Sequence, residues 1–560
     1  MTDQVSDEIS TSGSVDRRKS AAVEEPPSTF FNILKQIGPG LIIAANIVGS
    51  GELIMTTKTG AQAGIALLWL ILLGCVVKIF VQLELGRFTI SHGQTTLTSL
   101  NRVPGPRAGR VNWVVMLWGF MMLTTIAQLG GIVGGVGQAM ALTIPVTGDV
   151  QRAVRIPTTE DITTLADWQN MQEGSPVASS KFAADFAGML DTQRIQLERR
   201  LQWIEQDLAD LGDEGAQLLQ LARAGKPLED ENGESLISFR TTDDRIWVTI
   251  IGILTACVLF FGRYKLIERF SVTLVVSFSL ITMGNVIALQ MTDDYALSAD
   301  SLMKGLSFGF PDVPNAMVTA FATFGIIGVG ATELISYPYW CLEKGYARSA
   351  GPRDNSDSWL ARAQGWFRVM KYDAFASMVI YTIATAAFYL MGVAVLHSEG
   401  RNPEGTRMVS TLAQSYVPIF GAYAKWLFLG GAIAVLYSTY LVANASNARM
   451  VADFFGVLGV ASDDADSTAR KTMVTVWSVV LPLACVIVYL FVQKPVLLVA
   501  IAGVTQALML PVIGFSSMYF RYSETDKRLR PGILWDIFLV VSCFALLTAG
   551  CWGVYKTLLS

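Results

Sequence analysis

Histidine is almost absent from this chain. His92 and His397 are the only two in 560 residues, too few for an imidazole-based metal centre. Charge is scarce as well: Asp, Glu, Lys and Arg make up 16% of the sequence, where soluble domains run at about a quarter. What charge there is sums to −4, so the basic surface that a nucleic-acid partner needs is missing. The six cysteines (Cys75, Cys257, Cys341, Cys485, Cys543 and Cys551) lie in or beside apolar stretches. None is paired at zinc-ligand spacing, so neither a disulfide framework nor a structural zinc site is expected. No nucleophile–base pair, phosphate loop or metalloprotease motif occurs, and the chain is not expected to be an enzyme. A signal peptide is not expected either, because no apolar core follows Arg17-Arg18-Lys19 at the usual distance.

What the chain has is apolar length. Hydrophobic residues make up 52% and the mean hydropathy is +0.44. Eleven runs approach the roughly 20 residues that a helix needs to cross a bilayer. They fall at about 37–60, 65–90, 111–143, 246–261, 266–290, 316–340, 372–397, 417–444, 472–492, 495–520 and 533–555. The expected organisation is a disordered cytoplasmic tail (1–34), spans 1–3 (35–144), a helical insertion (145–245) and spans 4–11 (246–560). Basic segments (Arg102 to Arg110, Arg263-Tyr264-Lys265, Lys344 to Lys371, Arg521 to Arg530) fall on the side of the N-terminus. Acidic Asp293-Asp294 and Asp300 fall on the other. Basic loops stay in the cytoplasm, which puts the N-terminus inside and the C-terminus and insertion outside. In the insertion, Leu190, Ile195, Leu197, Leu201, Ile204, Leu208 and Leu211 recur mostly at helical spacing among charged residues, as in an amphipathic helix. A solvated antiparallel helix pair capping the outer face is the expectation.

Span 1 carries Val48-Gly49-Ser50-Gly51-Glu52-Leu53-Ile54. Two glycines weaken a helix at mid-span, and freed carbonyls at that depth must face protein or a water-filled cavity. Glu52, ionisable and intramembrane, is a functional-site candidate; the competing reading is a glycine packing contact beside a structural carboxylate. Span 6 carries Val329-Gly330-Ala331-Thr332-Glu333-Leu334-Ile335, which matches at five of seven positions. The two stretches are five spans apart, so the second half of the chain is inverted relative to the first. Broken helices of two inverted repeats meeting near the midplane are the usual substrate site of such transporters.

Gly38-Pro39-Gly40, the broken span 1, Gly60-Ala61-Gln62-Ala63-Gly64 and Leu67-Leu68-Trp69 resemble the start of Nramp-type divalent-metal transporters. The resemblance continues through Gly330-Ala331-Thr332, Ala386 to His397 and Leu510-Pro511. It implies an all-α integral membrane protein with LeuT-like inverted five-helix repeats and an extra helix, and transition-metal uptake coupled to protons. Where the family has Asp-Pro-Gly-Asn, this chain has Gly49-Ser50-Gly51-Glu52. Where it has Met-Pro-His, the chain has Leu334-Ile335-Ser336, or Tyr337-Pro338-Tyr339 if a gap is allowed. The acidic proton-pathway positions of span 3 fall on Gln128 and Gly131. The chain is thus similar to a divergent Nramp-related protein, closest in logic to the magnesium-transporting branch.

Without sulfur or imidazole, the donors are oxygens, which suit magnesium, calcium and manganese. The expected metal site comprises Glu52 and Glu333, freed carbonyls around Gly49 and Ala331, and Asn46, Ser50, Thr332 and Ser336. Glu84 is expected to pair with Arg87 or Lys78, and Lys58 to snorkel outward or to offset the site's negative charge. The expected function is passage of a hard divalent cation, Mg2+ or Mn2+, into the cytoplasm without obligatory proton coupling and with no other cofactor. The bilayer is the other partner expected, with protein partners left open, and a bacterial inner membrane is the expected location. Two alternatives stand: a carrier of a small organic cation or amino acid, and a non-transporting protein that binds through the insertion.

Overall fold

A computed structural model of the chain describes residues 23–559 apart from 176, 178, 230–235, 238–240, 262–263, 312, 355 and 461–467. Most of the expected tail, with Arg17-Arg18-Lys19, and also Arg263, lie outside the described residues. Among the described ones, eight helical runs are long and apolar enough to cross a membrane. One of them, Pro39–His92, has 54 residues, more than twice the length of one crossing. It is two passes, and their course can be followed along span 7. Gly40 packs on Asp373 and Gly60 on Tyr389. The return leg meets Tyr389 again at Leu67, Tyr381 at Cys75 and Met370 at Gly86. The chain reverses at Gly64, whose φ of 57° is open to glycine at no steric cost. The helices Asp243–Phe260 and Tyr264–Leu289 bring the passes to eleven.

Two spans are longer than hydropathy implies. Span 7 begins at Asp357, where Ser356 Oγ caps it by accepting from Trp359 N at 3.1 Å, and continues as α-helix to Met391. Span 8 runs Ala424–Val457. Much of the basic segment Lys344 to Lys371 is therefore helix rather than loop. Its charged residues drop out of a hydropathy window but are good helix formers, so the helix continues beyond the apolar stretch.

Spans 1 and 6 are both interrupted. Span 1 is α-helical over Pro39–Ile47, breaks at Val48 and Gly49, and resumes as a π-helical turn over Ser50–Thr56 and an α-helix over Thr57–Ala63. Span 6 is helical over Pro314–Ile326, breaks over 327–330 with Gly328 at φ 56°, and resumes over Ala331–Lys344. The bundle is an all-α membrane protein of LeuT-like inverted repeats.

Glu84, at the end of span 2, accepts from Arg87 Nε (3.3 Å), Arg521 Nη1 (3.2 Å) and Trp535 Nε1 (2.6 Å), and Arg521 also binds Asp536. Of the two partners expected for Glu84, Arg87 is present and Lys78 is engaged elsewhere. Lys58 reaches Glu404 at 2.6 Å, in the segment between spans 7 and 8.

The insertion is more than a helix pair. It contains the helices Asp149–Ala153, Thr159–Gln172, Ser180–Gly188, Asp191–Asp210 and Asp213–Arg223. Its own core buries Ile162, Leu165, Leu197, Leu201, Ile204, Leu208 and Leu218. Leu190 and Ile195 of the expected stripe are exposed, because Leu190 precedes the helix and Ile195 lies off the buried face. The insertion is tied to the segment after span 7 by Arg407–Asp207 (2.8 Å), by Trp203 Nε1 donating to Glu399 O (3.1 Å), and by Gln196 against His397. Arg407→Ala removes one half-buried ion pair and a cation–π contact on Trp203. It should cost about 1 kcal/mol and leave the bundle folded, which a thermal melt with limited proteolysis of the insertion would read.

Candidate metal centre

The matched Val-Gly-x-x-Glu-Leu-Ile stretches do the same thing twice. In each, the glycine precedes the second half-helix (Gly49 in span 1, Gly330 in span 6), and the glutamate falls in that half-helix's first turn. An N-terminal first turn holds unpaired amides and the positive end of the dipole, a favourable place for a carboxylate. Gly49 must be glycine because any side chain would overlap the Thr439 hydroxyl of span 8. A Cβ at Gly330 would sit 2.5 Å from Glu333 Oε2 and 2.8 Å from Gln506 Oε1.

Each glutamate reaches into the other repeat. Glu52 Oε1 accepts from Gly328 N in the break of span 6 (3.3 Å) and from Thr385 Oγ1 of span 7 (3.0 Å). Glu333 Oε1 accepts from Asn46 Nδ2, at the end of the first half of span 1 (2.8 Å). Between the broken helices and spans 3 and 8 lies a cavity of about 20 Å³, lined by Asn46, Gly51, Thr125, Gln128, Thr332, Glu333 and Thr439 among others. That is room for a single water or ion. Asn46 Oδ1 is buried there without a hydrogen-bond partner.

The residues expected at the site are thus distributed unevenly. Asn46, Thr332 and Glu333 line the cavity. Gly49 and Ala331 are buried at the breaks, within one turn of it. Glu52 is fully buried and faces protein but does not line the cavity, and its Oε2 has no partner. Ser336 is buried one turn beyond Glu333, to whose carbonyl its hydroxyl donates at 3.4 Å. Ser50 contributes backbone to the π-helical turn, and its side chain lies outside the described residues. Among the described residues, no three His, Cys, Asp or Glu side chains cluster in the manner of a metal cage. The available donors are one carboxylate with amide, hydroxyl and main-chain oxygens.

Several participants went unrecognised in the sequence. Gln506 of span 10 accepts from Thr332 N (3.3 Å) and donates to Gln128 Oε1 (2.8 Å). Thr125 lies against Thr332, 3.4 Å between hydroxyls. Thr385 holds Glu52. Gln506 carries a visible signal, a lone amide in an apolar run; the threonines carry none, since threonine is common in membrane helices.

The family model described as natural resistance-associated macrophage protein-like, Nramp, matches residues 235–555. The chain belongs to this family. Compared by structure, it is similar to two crystallised variants of the Eremococcus coleocola manganese transporter. Each has a TM-score of 0.51 at 14% identity, over 95% of this chain and 97% of the other. At that identity the likeness is one of fold. A comparison with curated proteins finds no match. The Nramp match begins near the end of the insertion, so the first three spans lie outside it.

Proposed function

We propose that this Nramp-family chain carries a hard divalent cation, Mg2+ or Mn2+, into the cytoplasm of a bacterial cell by alternating access, without obligatory proton coupling. The observation that carries this reading is the cavity between the two broken helices. Glu333 supplies one negative charge there, and Asn46 Oδ1 is a buried acceptor with nothing donating to it. An unsatisfied acceptor costs about 1–3 kcal/mol, which a cation in the cavity offsets. Oxygen donors without sulfur or imidazole favour Mg2+ and Mn2+ over softer ions. The similar Eremococcus coleocola protein is named a manganese transporter, which agrees with Mn2+. A cavity of about 20 Å³ suits an ion better than an organic amine.

Gln128 and Gly131 stand where the family has its proton-pathway acids, which leaves no proton carrier on span 3. Two positive charges moving down about 100 mV gain roughly 4.6 kcal/mol, at about 2.3 kcal/mol per charge, so the membrane potential alone suffices for accumulation. The test is Mg2+ and Mn2+ uptake into proteoliposomes carrying a pH dye, at imposed potentials. Potential-driven uptake without internal acidification is expected; stoichiometric acidification would overturn the uncoupled mechanism. Calorimetric titration with Mg2+, Ca2+ and Mn2+ ranks the ions.

A further inference from the structure

Lys78 of span 2 is fully buried, and neither the fold nor the metal site has yet used it. Its ammonium donates to Phe324 O (2.5 Å) and Ile327 O (2.8 Å), the carbonyls left free where the first half of span 6 ends. It also lies over the Phe324 ring, 4.8 Å from the centroid. No carboxylate stands at salt-bridge distance from it among the described residues, so it is not half of an ordinary buried ion pair. It is within Coulombic reach of both Glu333 and Glu52. The carbonyl end of a half-helix at mid-membrane carries the negative end of the dipole and is where transporters of this architecture hold a coupling ion.

We propose that Lys78 is a resident cation of the transport site, a covalently tethered ammonium at the position that an exchangeable proton or monovalent cation would otherwise have to fill. The consequence follows from charge. Without the lysine, Glu333 in the cavity and Glu52 beside it, both within Coulombic reach of the same ammonium, make an empty site of −2 and a metal-loaded site of zero. With Lys78 the empty site is −1 and the loaded site +1. The cost of holding charge in low dielectric grows with its square, so −2 is the expensive state, and a carrier without the lysine resets only after taking up a cation. With the lysine, the empty carrier returns unaided. This rests on the uncoupled metal transport proposed above and supplies a physical reason for it.

Net uptake requires the empty carrier to return; exchange of internal for external metal does not. In proteoliposomes, Lys78→Gln should keep Mn2+–Mn2+ exchange and lose net Mn2+ uptake by about tenfold or more at neutral pH. Lys78→Arg should retain both activities. Exchange and net uptake falling in parallel, or both persisting, would overturn the proposal. A second variant guards against misfolding. Lys78→Ala should regain its lost melting temperature with n-propylammonium but not with 1-propanol, whereas a packing role would respond equally to both, and equal response or none counts against the resident charge. If the wild type neither takes up nor exchanges Mn2+ or Mg2+, the transport function fails, while the amine rescue still reads the charge at Lys78.

Discussion

Glu333→Gln binds Mn2+ and Mg2+ about a hundred- to a few-thousandfold more weakly than the wild type and takes up neither at micromolar concentration, yet folds at least as well. Among the described residues, Glu333 is the only acidic side chain that lines the cavity, so the substitution removes the negative charge they place there. Taking one partner from a buried, compensated charge pair costs about 3–5 kcal/mol. At about 1.4 kcal/mol per tenfold, that is two to three and a half decades of affinity. Folding is spared for a separate reason. The Asn46 Nδ2 donor at 2.8 Å keeps an acceptor, because the glutamine carbonyl takes the place of Oε1. Without metal, a buried carboxylate becomes a neutral amide, which by itself does not destabilise. Calorimetry and thermal melts on the same preparation check the two halves of this expectation. A variant that binds metal like the wild type would move the ion site away from this cavity.

The sequence was most informative where chemistry is conspicuous in an apolar background. A glutamate inside Val-Gly-x-x-Glu-Leu-Ile, twice and five spans apart, pointed to two broken helices, and both are present, each with its glutamate in the first turn after the break. The eleven passes were legible because a bilayer imposes a length. Span boundaries were not, as the amphipathic extension of span 7 shows: helix propensity and hydropathy part company outside the membrane. The direction of the Glu52 side chain was not legible either. Repeat symmetry suggests two carboxylates converging on one point; Glu52 Oε1 is held by Thr385 and the Gly328 amide, and neither partner has a sequence signature. The role of Lys78 was missed because a lysine near a glutamate in sequence invites an ion pair. Its actual partners are main-chain carbonyls some 246 and 249 residues away.

Asp373 was missed for the same reason, and its removal should have the largest effect on stability. The first half of span 1 begins at Pro39 with Gly38 before it, and Gly38 has no side chain to cap the helix. The cap comes from span 7. Asp373 is fully buried and accepts from Gly38 N (2.8 Å), Gly40 N (2.6 Å) and Tyr337 Oη of span 6 (3.1 Å). Gly40 lets the backbone come close enough, since a Cβ there would sit 2.6 Å from Asp373 O. Asp373→Ala orphans two amides in a place that water does not reach and leaves the Tyr337 hydroxyl only the Met370 carbonyl, at 3.4 Å. At about 1–3 kcal/mol for each unsatisfied donor, and with some relaxation, the loss should be about 3–5 kcal/mol, seen as a lowered melting temperature in detergent. The loss is also local. The carboxylate ties together span 1, the second half of span 6 and span 7, so amide exchange should rise over 40–46 while the insertion, with its separate core, keeps its protection. On the alternating-access reading proposed above, this carboxylate holds one half-helix to the scaffold in the conformation described. Net metal uptake should therefore slow in Asp373→Ala even where equilibrium metal binding at Glu333 persists. If exchange over 40–46 is unchanged, span 1 is held by its packing alone and the capping argument fails.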